Sequence, residues 1–145
     1  MSYLIGFDRS SAIHEISLAS DTSYTSGGTI ALDGVASSHA TGSVSLSSNV
    51  VTLAPGEYII NGSIAIDRTD TTTDYAIDFY DNSDSSLLPI DEGWMGSQSI
   101  TASTSSSLVL QAQVSLTSSI SFYLQGTGSA GTQKALGTSL IILEL

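Results

Sequence analysis

The residues of this chain whose types could do chemistry are two histidines, one tryptophan, two clusters of aspartate and many scattered serines and threonines. Nucleophilic catalysis needs a hydroxyl or thiol beside a base that a third group orients. His14 alternates with Ile13 and Ile16 in AIHEISL, which points to a plain surface or interface role. His39 lies in a Ser/Gly loop with no acidic residue nearer than Asp33. No G-x-S-x-G elbow is present to expose a serine nucleophile. GTGSAG (Gly126 to Gly131) has the glycines of a phosphate loop but lacks the lysine and helix that complete one. No catalytic residue is assigned, and the expectation is a protein that is not an enzyme.

The aspartates point to a cation or to turns. DRTDTTTD spaces Asp67, Asp70 and Asp74, and DNSDSS spaces Asp81 and Asp84. Calcium takes roughly six to eight oxygen ligands, which carboxylates, hydroxyls and carbonyls supply together. Neither segment has the spacing of the twelve-residue calcium loop. Asp, Asn and Ser also fill turns because their side chains bond the local backbone. Turn chemistry is the expectation, with no metal and no cofactor; Asp67, Asp70 and Asp74 are the residues that would hold a cation. Trp94, in DEGWMGS, has Asp91 and Glu92 beside it and Gly93 and Gly96 around it. Exposed, it could stack on a sugar ring; the commoner fate of a lone Trp is burial at a core edge or subunit contact.

The elements that carry these residues read almost entirely as strands. In LAPGEYIINGSIAID a Pro-Gly turn precedes nine alternating residues. Tyr58, Ile60, Gly62, Ile64 and Ile66 share one face, and Ile59, Asn61, Ser63, Ala65 and Asp67 the other. The same period places Tyr75, Ile77 and Phe79 together, then Leu108, Leu110, Ala112, Val114 and Leu116, then Ile120, Phe122 and Leu124. Shorter candidates are YLIGF, AIHEISL, TIALD, GSVSL and NVVTL. Turn clusters separate them, and the link Thr117-Ser118-Ser119 suggests a hairpin. Helical periodicity of comparable length is absent. Roughly eight to ten short strands imply an all-β antiparallel sandwich or jelly roll.

Composition narrows the partners. Fourteen acidic residues face Arg9, Arg68 and Lys134, for a net charge of −11 in 145 residues. Binding nucleic acid or an anionic membrane requires clustered cations, so neither is expected as a partner. Cysteine is absent, so neither a disulfide frame nor a thiolate metal site can form. No apolar run is long enough for a membrane-spanning helix, and MSYLIGFDRS does not read as a signal peptide. Hydrophobic residues, 41% of the chain, come in strand-length runs, which argues against disorder in the Ser-rich tracts.

The terminal strand SLIILEL breaks the rule. Leu140 and Ile142 lie on one face and Ile141, Leu143 and Leu145 on the other, so both faces are apolar. A strand covered on both sides reads this way. Either the N-terminal segment folds over it or a neighbouring subunit does.

The order of these segments resembles a known family. APGEYIINGSIAI is followed by YAIDFYDNSDSSLL, then LQAQVSLTSSISFYLQG, a Gly-rich loop and GTSLIILEL. This is similar to the tumour-necrosis-factor-like and complement-q-like jelly rolls, especially those of bacteriophage virion proteins, over about residues 28–145. The resemblance implies a short N-terminal arm with the first short strands over residues 1–27 and a jelly-roll domain over 28–145. It also implies a homotrimer whose terminal strand faces the threefold axis, with Leu140, Ile141, Ile142, Leu143 and Leu145 at the interface.

In phages such modules occur as head decoration proteins and as tail-fibre knobs. A jelly roll that starts within about 30 residues of Met1 leaves no room for a shaft, which favours the first. The expectation is a structural virion protein: a trimeric capsid decoration (cement) protein on the outer surface of the capsid, made in the host cytoplasm. Its partners would be itself and the major capsid protein, docked through Tyr3, Leu4, Ile5, Phe7 and Arg9. The alternative is a trimeric receptor- or carbohydrate-binding knob of a tail fibre, with Trp94 as the glycan contact.

Overall fold

The computed structural model describes residues 12–38, 42–68, 74–99 and 105–145. Eleven strands appear among them: β1 Ala12–Ser17, β2 Thr22–Tyr24, β3 Gly34–Ser37, β4 Val44–Ser47, β5 Val50–Leu53, β6 Gly56–Arg68, β7 Ile77–Asp81, β8 Trp94–Met95, β9 Ser105–Leu116, β10 Ile120–Gly126 and β11 Gly131–Glu144. They form two antiparallel sheets. The larger runs β3-β1-β11-β6-β9-β8, with β2 beside the first half of β11; the smaller runs β4-β5-β10-β7.

The long alternating segments become the centre of the larger sheet. β6 pairs β9 along its whole length, from Gly56 opposite Leu116 to Asp67 opposite Ser105. Tyr58, Ile60, Ile64 and Ile66 point into the sandwich with Leu108, Leu110 and Val114, and meet Val51, Leu53, Phe79, Phe122 and Leu124 of the smaller sheet. Gly62 sits in the middle of that buried row. A Cβ there would lie 2.5 Å from Leu110 Cδ1 and 2.6 Å from Leu140 Cδ2, so the neighbouring leucines occupy the space that a side chain would take.

Two expectations about connections fail. Thr117-Ser118-Ser119 does not make a hairpin: β9 belongs to the larger sheet and β10 to the smaller, so the link arches over the core. Both strands keep their apolar faces inward, and facing across the sandwich buries them better than lying side by side. TIALD is not a regular strand either, apart from a single bridge between Thr29 and Gln125. Its backbone bonds to other groups. Ile30 N–H donates to the Leu124 carbonyl at 2.8 Å. The buried Gln133 amide accepts from Ala31 N–H and donates to Ala31 C=O, each at 2.8 Å. A side chain thus replaces the missing partner strand and lets Ile30 and Leu32 reach the core.

β11 carries an irregularity. Lys134 pairs Ala65 while Ser139 pairs Ser63, so the intervening residues loop out of the ladder. Thr138 Oγ1 donates to the Lys134 carbonyl at 2.6 Å, and Asp21 accepts from Ala135 N–H at 2.8 Å and ion-pairs with Lys134. These contacts pin the bulge and hold Leu136 almost wholly in solvent, at 92% exposure.

Candidate interaction surface

The face of the larger sheet that points away from the core is built from the second set of alternating residues. One cross-strand row is Ile13, Leu143, Ile59 and Gln113; the next is Glu15, Ile141, Asn61, Gln111 and Met95; a third is Ser17, Ser139, Ser63 and Val109. Ile13 (52%), Met95 (53%) and Val109 (62%) are strongly exposed. Leu145 continues the band, held by its N–H to the Glu57 carbonyl at 3.0 Å. Polar neighbours are tied to one another: Gln111 Nε2 donates to Asn61 Oδ1 at 3.3 Å, and the Ser63 and Ser107 hydroxyls pair at 3.1 Å. Between them lies a groove of about 570 Å³ whose walls include Ile59, Met95, Gln111, Gln113 and Leu145. An apolar band rimmed by amides on an exposed sheet face marks a protein contact rather than a reaction site.

A second cluster sits where β1, β3 and β11 meet. His14 is fully buried, with Nδ1 2.7 Å from Ser37 Oγ and Nε2 3.2 Å from Glu144 Oε2. Ser43 Oγ donates to the same carboxylate oxygen at 2.5 Å. A serine, a histidine and a carboxylate in contact have the composition of a hydrolytic triad. His14 is itself buried, and the grooves described on the two sheets are lined by neither Ser37 nor His14. The cluster joins strands β1, β3 and β11 to the loop before β4. This corrects the surface role expected for His14, which points inward because it shares a face with Ala12 and Ile16.

A buried aromatic pair packs beside Arg68. Tyr24 and Tyr75 meet edge to face with centroids 5.7 Å apart, and the buried Arg68 guanidinium lies 5.4 Å from the Tyr75 centroid. Burial pushes the phenol pKa of Tyr24, Tyr58 and Tyr75 above the usual value, most strongly at Tyr75. Burial also raises Asp78.

Comparison with solved structures identifies the architecture. Murine APRIL superposes with a TM-score of 0.66 over 93% of this chain and 99% of its own, at 11% sequence identity. The fold is a tumour-necrosis-factor-like jelly roll. Eiger TNF from S. frugiperda gives 0.62 at 11% identity, covering 92% of this chain and 91% of its own. Rabbit GITRL gives 0.51 at 17% identity, covering 88% and 94%. At such identities the likeness is one of fold. No protein-family model matches this chain, and no curated protein matches it in sequence.

Within this jelly roll the residues singled out from sequence separate. Leu140 and Ile142 are fully buried inside the single chain, so they cannot meet another subunit. Ile141, Leu143 and Leu145, on the opposite face, are the part of that set left for a partner. The two apolar faces of the terminal strand have different causes: one is the sandwich core and the other is the outer band. Trp94 takes the burial expected as its commoner fate, which removes it as the glycan contact of the knob alternative. It is 3% exposed and packs against Phe79 and Phe122 at centroid distances of 5.2 and 5.3 Å.

Asp67 and Asp74 are exposed, and Asp70 lies outside the described residues. Asp81 and Asp84 each accept from a backbone N–H and a hydroxyl two residues on, Ser83 at 2.8 Å for both and Ser86 at 3.0 and 2.6 Å. Those bonds hold Asp84 below its ordinary pKa and are the turn chemistry expected of DNSDSS. Tyr3, Leu4, Ile5, Phe7, Arg9 and His39 lie outside the described residues. Sequence reasoning missed Ile13, Met95 and Val109 as parts of the band. Only the alternation of AIHEIS and SLVLQAQV carried a signal for Ile13 and Val109, and nothing marked Met95.

Proposed function

We propose that this chain is a non-enzymatic structural module that associates with itself through the outer face of its larger sheet, as a homotrimer. The observation that carries this reading is the band of Ile13, Ile59, Ile141, Leu143, Met95 and Val109 on a face that the chain's own described residues leave uncovered. Water-exposed apolar area of this kind is stabilised by burial at roughly 25 cal/mol per Å². The threefold order and the virion setting rest on the resemblance of the sequence pattern to phage virion jelly rolls. On that basis the trimer serves as a capsid decoration protein that binds the major capsid protein on the head's outer surface. The rival reading as a tail-fibre knob loses Trp94 as its contact residue. Light scattering of the purified chain tests the assembly, because three copies of 15.0 kDa weigh about 45 kDa and a monomer would refute it. Co-purification with heads tests the virion role. A trimer that never sediments with heads would leave the assembly standing and remove the decoration role.

A further inference from the structure

On the opposite side of the molecule, the solvent face of the smaller sheet carries a separate groove of about 410 Å³, within the range of small-ligand sites. Tyr123 of β10 lines it. Tyr80 of β7 lies opposite Tyr123 in the ladder and nearly parallel to it, with centroids 5.7 Å apart and an interplanar angle of 19°. Tyr80 stacks against the Tyr123 ring, and Tyr123 lines the groove. Three loops distant in sequence form its walls: the Gly27-Gly28 turn with Thr29, the β4–β5 turn with Ser48 and Asn49, and the β7–β8 connection with Asn82 and Ser85.

Two of the wall amides are already oriented. Asn49 Oδ1 accepts from Leu32 N–H at 2.9 Å, which leaves its Nδ2 as a donor. Gln125 Nε2 donates to the Gly27 carbonyl at 3.0 Å, which leaves its Oε1 as an acceptor. Among the described residues, the non-glycine positions with positive φ are Ser48 (49°), Asn49 (69°) and Ser85 (59°), and all three line this groove. Glycine would adopt those angles more easily. Ser48 and Asn49 are the two loop residues of the β4–β5 hairpin, whose turn geometry calls for positive φ and thereby sets their side chains at the rim.

We infer that this groove binds a neutral saccharide, with a pyranose ring lying against Tyr123 and its hydroxyls meeting Asn49, Asn82, Ser85 and Gln125. The C–H face of a sugar suits the electron-rich face of a phenol ring, and its hydroxyls need both donors and acceptors. Among the described residues no charged side chain lines the groove, and the chain's net charge of −11 repels anionic sugars. The site lies within one chain and stands independently of the proposed trimer. If the larger sheets face one another in a trimer, three such grooves point outward, and a multivalent glycan would bind with added avidity.

The test is calorimetric titration of the full chain with four neutral hexasaccharides, of α-1,4-glucose, β-1,4-glucose, β-1,4-N-acetylglucosamine and α-mannose, alongside a sulfated heparin hexasaccharide. The expected result is saturable binding of at least one neutral sugar. It should weaken about tenfold or more in Tyr123→Ala and survive in Tyr123→Phe. Asn82→Ala, at an exposed turn, should also weaken binding without changing the melt, and Leu136→Ala, on the exposed bulge of β11 and outside both the groove and the apolar band, should not affect it. Three outcomes would each overturn the inference: no saturable binding of any neutral sugar up to roughly 10 mM, tighter binding of the sulfated chain, or binding that Tyr123→Ala and Asn82→Ala both leave intact.

Discussion

Ile141→Asp separates the stability of the chain from the stability of its assembly. In the single chain Ile141 is 37% exposed on the outer face, opposite Glu15 on one side and Asn61 on the other. A carboxylate there remains hydrated, and the penalty is a strand-propensity loss within a scale of ~1 kcal/mol plus a solvent-screened repulsion from Glu15 opposite it, about 0.2–1 kcal/mol. In the proposed trimer the same position is covered. Each copy then loses the burial of the exposed third of an isoleucine, roughly 0.5–1 kcal/mol. It also desolvates a charge with no cation in its ladder row, at several kcal/mol per ion. Taking about 3 kcal/mol per copy, three copies lose about 9 kcal/mol and association weakens roughly 10⁶-fold. Analytical ultracentrifugation at micromolar concentration, paired with circular dichroism, reads both terms. The parent should sediment as about 45 kDa and the variant as 15.0 kDa, with closely similar spectra. A variant that keeps the parent's mass would refute the placement of Ile141 in a covered contact. A variant that unfolds is tested again with Val109→Asp, on a different strand of the same band.

Gly62→Ala should lower the melting temperature by roughly 3–12 °C, since overpacking against Leu110 and Leu140 costs about 1–3 kcal/mol; an unchanged melt would show that those leucines move aside freely. Trp94→Ala should lose about 3–5 kcal/mol in urea unfolding by removing the partner of Phe79 and Phe122, and the parent's Trp fluorescence should resist acrylamide quenching. Ready quenching of the folded parent would contradict its burial. Alkaline titration followed by phenolate absorbance should leave Tyr24, Tyr58 and Tyr75 un-ionised well past the ordinary value of 10.0. Because their folded pKa values are raised, their contribution to stability is complete below pH 10.0 and is lost as the pH climbs through the raised values. All six tyrosines titrating together near the ordinary value would refute it.

Much of the fold was legible because a strand's side-chain period is local backbone geometry. Alternation alone sorted Tyr58 through Ile66, Leu108 through Val114, and Phe122 with Leu124 onto the faces that the sandwich buries. Composition, with three cations against fourteen acidic residues, also argues against nucleic acid and anionic membranes as partners. Period two names two faces, however, and does not say what lies against either. Only the packing of one sheet on the other decided that Leu140 and Ile142 are core while Ile141 and Leu143 are surface. It also turned His14 and Trp94 inward and carried the chain between sheets at Thr117-Ser118-Ser119. The groove at Tyr123 was less legible still, because its walls come from three loops far apart in sequence. Such a site is a property of long-range pairing, which local pattern does not encode.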